Sequence, residues 1–352
     1  MSKTARVAGT GSFLPPTAQS NADLYGLESI RRNFDVERAR ASLREIEGVE
    51  DRSPVEVFDL WARQVTGIIE RRVTRPEDGH TTESMCAEAS RRALEAAGMS
   101  PDALDAILIG SVTPSDSVPN ASATVGSMIG APRAGGFTLN GACTGFIHVM
   151  ATGYAMIRSG IAENVLVCAG DVLTRITNYE DPTTAVLFSD GAGAAVLTAS
   201  GNGGFAGPPT LSADYAREHL YIRGQGWEEA DDPIPKLRMG GGPKVLRRAI
   251  NAMASVAERA LEEAGADWST VDLVVPHQAN LRITRGLEKH LALPKGRVVH
   301  NIERYGNCSA ATVGIALDEA LRGKHGEVPR PARVVLTAVG GGYTTGAAVI
   351  DM

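Results

Sequence analysis

Cysteine is scarce in this chain. Only four occur among 352 residues, at positions 86, 143, 168 and 308, and no two stand in a CxxC pair. That spacing excludes a zinc knuckle or a disulfide-stapled scaffold, so no metal site is expected, and it fits a reducing, cytoplasmic setting. Aromatic residues are few, at 5% of the chain. Apolar runs are broken by glycine or polar residues well short of a bilayer span, and Met1–Gly9 lacks the apolar run of a secretion leader. Neither a membrane partner nor a secreted product is expected. Positive charge is also in deficit: the formal net charge is −6, which argues against a broad nucleic-acid footprint.

What the chain does have is apolar content of 43% and 39 glycines, enough for a large core with many tight turns. Short apolar segments alternate with segments of helical periodicity. The segment Arg6–Leu14 predicts a strand, Thr81–Ala97 a helix stopped by Gly98, and Leu104–Val112 a buried strand. Glu28–Ile46 is highly charged with apolar residues at near-helical spacing, and predicts one or two exposed amphipathic helices. Gly201–Pro209 predicts only a flexible turn.

The chain repeats itself. Arg92-Ala-Leu-Glu-Ala-Ala-Gly98, followed by Leu104-Asp105, matches Arg259-Ala-Leu-Glu-Glu-Ala-Gly265, followed by Val271-Asp272; the helical segments and the aspartates are each separated by 167 positions. Gly193-Ala-Ala-Val196 matches Gly346-Ala-Ala-Val349, and Gly141-Ala-Cys143 matches Gly306-Asn-Cys308. Two copies of one strand-and-helix module follow, roughly 1–200 and 201–352, packed as α/β halves with their sheets covered on both faces.

Candidate chemistry gathers at the ends of apolar strands. Cys143 lies between the apolar run ending at Asn140 and the apolar helix from Ile147, so its thiol is expected at a helix start, where the dipole lowers a thiol pKa. A lone cysteine is more often structural. Its repeat partner Gly306-Asn307-Cys308 opens a second apolar helix, with Asn307 as a candidate cap or amide donor. The strand Leu273–Val275 empties into Pro276-His277-Gln278-Ala279-Asn280, a usual place for function in α/β sheets. Val334–Ala338 leads into Gly340-Gly341-Gly342, which brings bare backbone N–H groups close to something. A thiol, an imidazole, an amide and free N–H groups suit acyl transfer through thioesters, with the N–H groups of Cys143 and Gly341 as oxyanion donors.

These motifs, with Gly9-Thr-Gly-Ser-Phe-Leu-Pro15, Thr66-Gly-Ile-Ile-Glu-Arg-Arg72, Gly141-Ala-Cys-Thr-Gly-Phe146 and Asp190-Gly-Ala-Gly-Ala-Ala-Val196, run in order through nearly the whole chain. As a set the chain resembles the β-ketoacyl-acyl-carrier-protein synthase III family of thiolase-fold condensing enzymes. The resemblance implies a five-layered αβαβα fold and a catalytic triad on Cys143, His277 and Asn307, with an oxyanion hole on the backbone of Cys143 and Gly341. It implies acylation of Cys143 from acyl-CoA or acyl-carrier protein, then decarboxylative condensation with a malonyl-type thioester. CoA or phosphopantetheine thioesters would be substrates rather than resident cofactors, and the protein a homodimer. Binding residues would be Trp61 (stacked on CoA adenine), Val118 (pushed by a partner subunit into the acyl pocket), Leu246, Arg247, Asn280 and Arg282. Lys244, Arg248 and Arg285 would extend a basic surface for the carrier protein.

Three features depart from the family pattern. Val65 and Pro182-Thr-Thr184 stand where arginines are usual, Val118 where phenylalanine is common, and residues 25–60 are longer than in short members. They lead to the expectation of a specialised, secondary-metabolism member. Transfer of the acyl group to a hydroxyl or amine is the main alternative, and relatives that do so often lack the asparagine that Asn307 retains. A cysteine hydrolase built on Gly141-x-Cys-x-Gly145 fits poorly with an internal duplication.

Overall fold

A computed structural model describes residues 4–201, 203–216, 220–222, 236–240 and 243–352, without the side chains of Ala216, Pro243 and Lys244. Two five-stranded sheets form its frame. The first runs in the order Thr4–Phe13, Asp190–Ser200, Asn164–Val172, Ala106–Gly110, Gly135–Leu139. The second runs Leu273–Pro276, Arg333–Val339, Gly342–Asp351, and the last of these pairs with both Gly204–Phe205 and Thr210–Ala216. The pairing pattern repeats. Ala106–Gly110 lies parallel to Asn164–Val172, which lies antiparallel to Asp190–Ser200. Leu273–Pro276 lies parallel to Arg333–Val339, which lies antiparallel to Gly342–Asp351. The sequence duplication is therefore a duplication of sheet topology. The copies differ at one edge: where the first sheet carries Gly135–Leu139, the second has only an isolated bridge between Val274 and Val298.

The helices follow from apolar faces that a sheet must cover. Gly145–Ser159 and Ala311–Leu321 are the apolar helices that open after the two Gly-x-Cys turns. They lie between the sheets, where Phe146, Ile147, Val149 and Met150 share one buried cluster with Val313, Ala316, Leu317 and strand residues from both sheets. Each buried side chain of this size contributes roughly 1.5–3 kcal/mol. Thr82–Ala97 and Ala121–Ile129 cover the outer face of the first sheet, and Pro243–Glu263 and Leu281–His290 pack on the second. The result is the thiolase-like αβαβα stack. Close approach across its centre needs glycine: a Cβ on Gly193 would stand 2.7 Å from the backbone of Gly314.

Thr82–Ala97 matches its predicted span, with Thr81 as N-cap and Gly98 at φ 62° as C-cap. Glu28–Ile46 holds two helices, within the expectation: Glu28–Asn33 and Val36–Ser42, interrupted at Phe34. Phe34 turns extended and its ring packs edge-on against Phe58, with centroids 4.9 Å apart, while the Asp35 side chain caps the second helix. Gly201–Pro209 is not only a turn, because Gly204–Phe205 pairs with Ile350 and Asp351 and Phe205 is buried. No described helix is long and apolar enough to cross a membrane.

Candidate active site

The strand Gly135–Leu139 delivers the chain to Gly141, whose missing side chain leaves room for the next helix: a Cβ there would meet His148 Nδ1 at 2.2 Å. Ala142 then takes the left-handed conformation at φ 48°, a strain of about 1–2 kcal/mol for a non-glycine residue. Its N–H is caught by Asn140 Oδ1 at 3.2 Å. This places Cys143 on the single turn Ala142–Thr144 ahead of helix Gly145–Ser159. The turn is tied to the second sheet by the Thr144 and Thr344 hydroxyls, 3.1 Å apart.

His277 follows the strand Leu273–Pro276, and its N–H donates to Thr337 O at 2.8 Å, continuing the ladder. Its Nδ1 sits 2.6 Å from Thr312 Oγ1, which in turn lies 3.0 Å from Ser309 O. The Thr312 hydroxyl donates to Ser309 O, and its contact with Nδ1 holds the imidazole ring in place. Asn307 sits in the repeat of the cysteine turn. Its Oδ1 accepts the Ser309 N–H at 2.9 Å, while its Nδ2 lies 3.5 Å from Ala279 O. One face of the amide is thus pinned and the NH2 group faces outward as a donor. The Gly340–Gly342 turn presses on the cysteine turn: a Cβ on Gly340 would stand 3.0 Å from Cys143 N, and one on Gly341 3.7 Å from the Ala142 Cβ.

Cys143, His277, Asn307 and Gly340–Gly342 all line one cavity of about 310 Å³. Burial holds His277 neutral, pushing its pKa down to about 3. Burial also pushes the Cys143 thiol up to about 12, only partly offset by the Ser309 hydroxyl. Burial thus opposes the lowering of the thiol pKa expected at a helix start.

Of the other residues singled out by sequence, Leu246, Asn280 and Arg282 line the cavity. Asn280 caps helix Leu281–His290 through the Arg282 N–H and ties it to Val65 O at 2.9 Å. Arg247 and Arg285 are exposed, and Arg247 does not line the cavity. Arg248 is not free to meet a carrier protein, because it pairs with Asp214 and lies over the Tyr343 ring. The Lys244 side chain lies outside the described residues. Trp61 does not line the cavity either; it packs on Phe34 and Phe58, with centroids 5.0 and 5.7 Å away. Val118 is 88% exposed and far from enclosed in any acyl pocket of its own chain. The apolar wall that sequence reasoning missed includes Leu187, Phe188, Leu220, Met239 and Ile283. Nothing in local pattern separates them from core residues.

The second half matches the family model for the C-terminal region of 3-oxoacyl-[acyl-carrier-protein] synthase III over residues 261–352, and residues 137–213 match the model for 3-oxoacyl-[acyl-carrier-protein] synthase III itself. The chain is 36% identical to β-ketoacyl-[acyl-carrier-protein] synthase III of Xanthomonas campestris pv. campestris, over 98% of each chain. It belongs to the β-ketoacyl-acyl-carrier-protein synthase III family. Two solved structures agree with this placement. The synthase III of Aquifex aeolicus superposes with a TM-score of 0.82 at 33% identity, covering 99% of this chain and 100% of that one. The priming β-ketosynthase of the R1128 polyketide pathway superposes with a TM-score of 0.85 at 31% identity, covering 99% and 96%. This synthase III family member is a condensing enzyme that transfers acyl groups through a cysteine, and transfer to alcohols or amines is not favoured. The hydrolase alternative falls with the fold.

Proposed function

We propose that Cys143 is the acyl-accepting nucleophile, that His277 and Asn307 stabilise the enolate of a malonyl-type thioester, and that the N–H groups of Cys143 and Gly341 hold the oxyanion. The observation that carries this reading is the convergence of a thiol, a neutral imidazole and a pinned amide on one apolar cavity. Both His277 and Asn307 enter uncharged as hydrogen-bond donors, and among the described residues that line the cavity there is no carboxylate that would activate a hydrolytic water. Acyl-CoA or acyl-carrier protein supplies the acyl group, and CoA or phosphopantetheine is held only as a substrate. The apolar wall suits a chain longer or more branched than acetyl, as a specialised member of secondary metabolism would use. Arg282, exposed at the mouth, suits the phosphate of a pantetheine arm.

The enzyme works as a homodimer in the cytoplasm, in this reading, with residues 1–200 and 201–352 as its two thiolase-like halves. The strand Gly135–Leu139 is an open sheet edge with Phe137 43% exposed, and Val118 stands out from the same half. Such an edge calls for a covering strand. Intact-protein mass spectrometry with a panel of acyl-CoA and acyl-carrier donors, followed by carbon dioxide release from malonyl-carrier protein, tests the assignment. An acyl mass on Cys143→Ala, or product formation without carbon dioxide, overturns it.

A further inference from the structure

Glu319 is a buried carboxylate outside the cavity. It stands near the C-terminal end of helix Ala311–Leu321 with 1% of its surface exposed. A negative charge is unfavourable at that end of a helix and costly away from water, so its presence asks for a reason. Side chains from the preceding and following segments compensate it. Tyr305 Oη donates to Oε1 at 2.5 Å, and Lys324 Nζ lies 3.1 Å from the same oxygen. Asn301 Nδ2 donates to Oε2 at 3.0 Å, with His325 Nε2 at 3.3 Å and the Arg304 guanidinium at 3.5 Å. Burial pushes the carboxyl pKa up, but hydrogen bonds from His325, Tyr305, Asn301 and Lys324 outweigh it and hold the group well below the usual carboxylate range.

The partners of Glu319 lead to both donors of the site. Asn301 stands before the short helix Ile302–Tyr305, and Tyr305 ends it directly ahead of Gly306-Asn307. Tyr305 is buried, with the Arg304 and Arg72 guanidiniums 4.9 and 6.0 Å from its ring centroid. The Asn301 N–H donates to Gln278 Oε1 at 3.2 Å. Gln278 Nε2 in turn donates to Pro276 O at 2.8 Å and Val299 O at 3.0 Å, which fixes the residues on either side of His277. One carboxylate thus braces the segments that carry Asn307 and His277. The Cys143 turn is held separately, by Asn140 and by the Thr144–Thr344 pair. The brace is a feature of the second copy. Eleven positions after Cys143, where Glu319 stands after Cys308, the first copy has Tyr154, which packs on Phe205 with centroids 5.1 Å apart.

We propose that Glu319 is a positioning residue for condensation, holding Asn307 in place through Tyr305, and His277 through Asn301 and Gln278. The role rests on the assignment of His277 and Asn307 as the enolate donors. A misplacement of about 1 Å costs a group of this kind roughly 10²-fold in rate. Because the cysteine turn has its own ties, loss of the brace should fall on condensation and spare acylation. A carboxylate that only stabilised the fold would lower both half-reactions alike.

The test uses the full chain and times the half-reactions separately. Acylation by the acyl-CoA that acylates wild type fastest is read by quenched intact-mass analysis. The acyl-enzyme is then mixed with malonyl-acyl-carrier protein, and carbon dioxide release is timed. Glu319→Gln should acylate at the wild-type rate and condense about 100-fold more slowly. Tyr305→Phe, which loses one hydroxyl and keeps its ring, should acylate normally and condense about 10-fold more slowly. Tyr305→Phe decides the matter if Glu319→Gln does not fold. Wild-type condensation in either folded variant, or acylation and condensation that fall by the same factor, overturns the positioning role. Asn307→Ala in the same assay separates the two claims. Wild-type condensation in Asn307→Ala sinks the enolate assignment, whereas lost condensation there beside fully active Glu319→Gln and Tyr305→Phe sinks only the positioning role.

Discussion

The two Gly-x-Cys turns of this chain are copies, and they have been put to different uses. The first follows the strand Gly135–Leu139 and the second the short helix Ile302–Tyr305, but both precede an apolar helix and both bury their thiol. Burial pushes each thiol up to about 12, so acidity does not tell them apart. Orientation does. Cys143 lines the cavity, while Cys308 turns away into the protein, 3.1 Å from the Ser189 hydroxyl. In the second turn the cavity-facing place goes to the preceding residue, Asn307. In the proposed roles the duplicated module supplies a nucleophile from one copy and an amide donor from the other, on turns whose backbones have diverged: Ala142 is left-handed in the first, Gly306 and Ser309 in the second.

The sharpest way to break this comparison is to remove each thiol in turn. Cys143→Ala should take acyl-enzyme formation below detection, and Cys308→Ala should leave it intact, both read by intact mass. Acylation lost in Cys308→Ala at unchanged folding would show that the second turn contributes more than Asn307. Next in size, Asn307→Ala or His277→Ala should still acylate but lose condensation by about 10²–10⁴-fold, read as product formed from pre-acylated enzyme. A smaller loss, about 10²-fold in acylation rate, is expected for Gly340→Ala, because its Cβ would stand 3.0 Å from Cys143 N and displace the oxyanion donor.

The smallest expected effect is on stability. His277 is held neutral with its pKa depressed from 6.5 to about 3. Below pH 6.5 the unfolded chain gains a proton that the folded chain refuses, so stability falls as pH drops from 6.5 toward 3. At pH 5 the loss is about 2 kcal/mol, and His277→Gln should remove it. Melting temperatures of the two proteins that decline in parallel between pH 7 and 4.5 would contradict a neutral buried imidazole.

Much of this was legible without coordinates, for identifiable reasons. The helix Thr82–Ala97 carries its own cap and stop, and the repeated segments are strong enough to imply duplicated topology. Cys143, His277 and Asn307 stand at strand ends or helix starts, where local pattern is informative. Trp61 was legible as a candidate, but its packing on Phe34 was not, because a lone aromatic in sequence says nothing of its neighbours. The cavity wall was invisible, since Leu187, Leu220 and Met239 are ordinary apolar residues in sequence.

By itself the sequence determined the family, the duplicated α/β architecture and the three residues proposed for the chemistry, because these rest on local periodicity and on ordered motifs. Only the tertiary structure decided how those residues behave. It set the direction in which each thiol points, which polar atoms are left without partners and how deeply each group is removed from water. These depend on distances between segments far apart in the chain and on the exclusion of water, which no local pattern encodes.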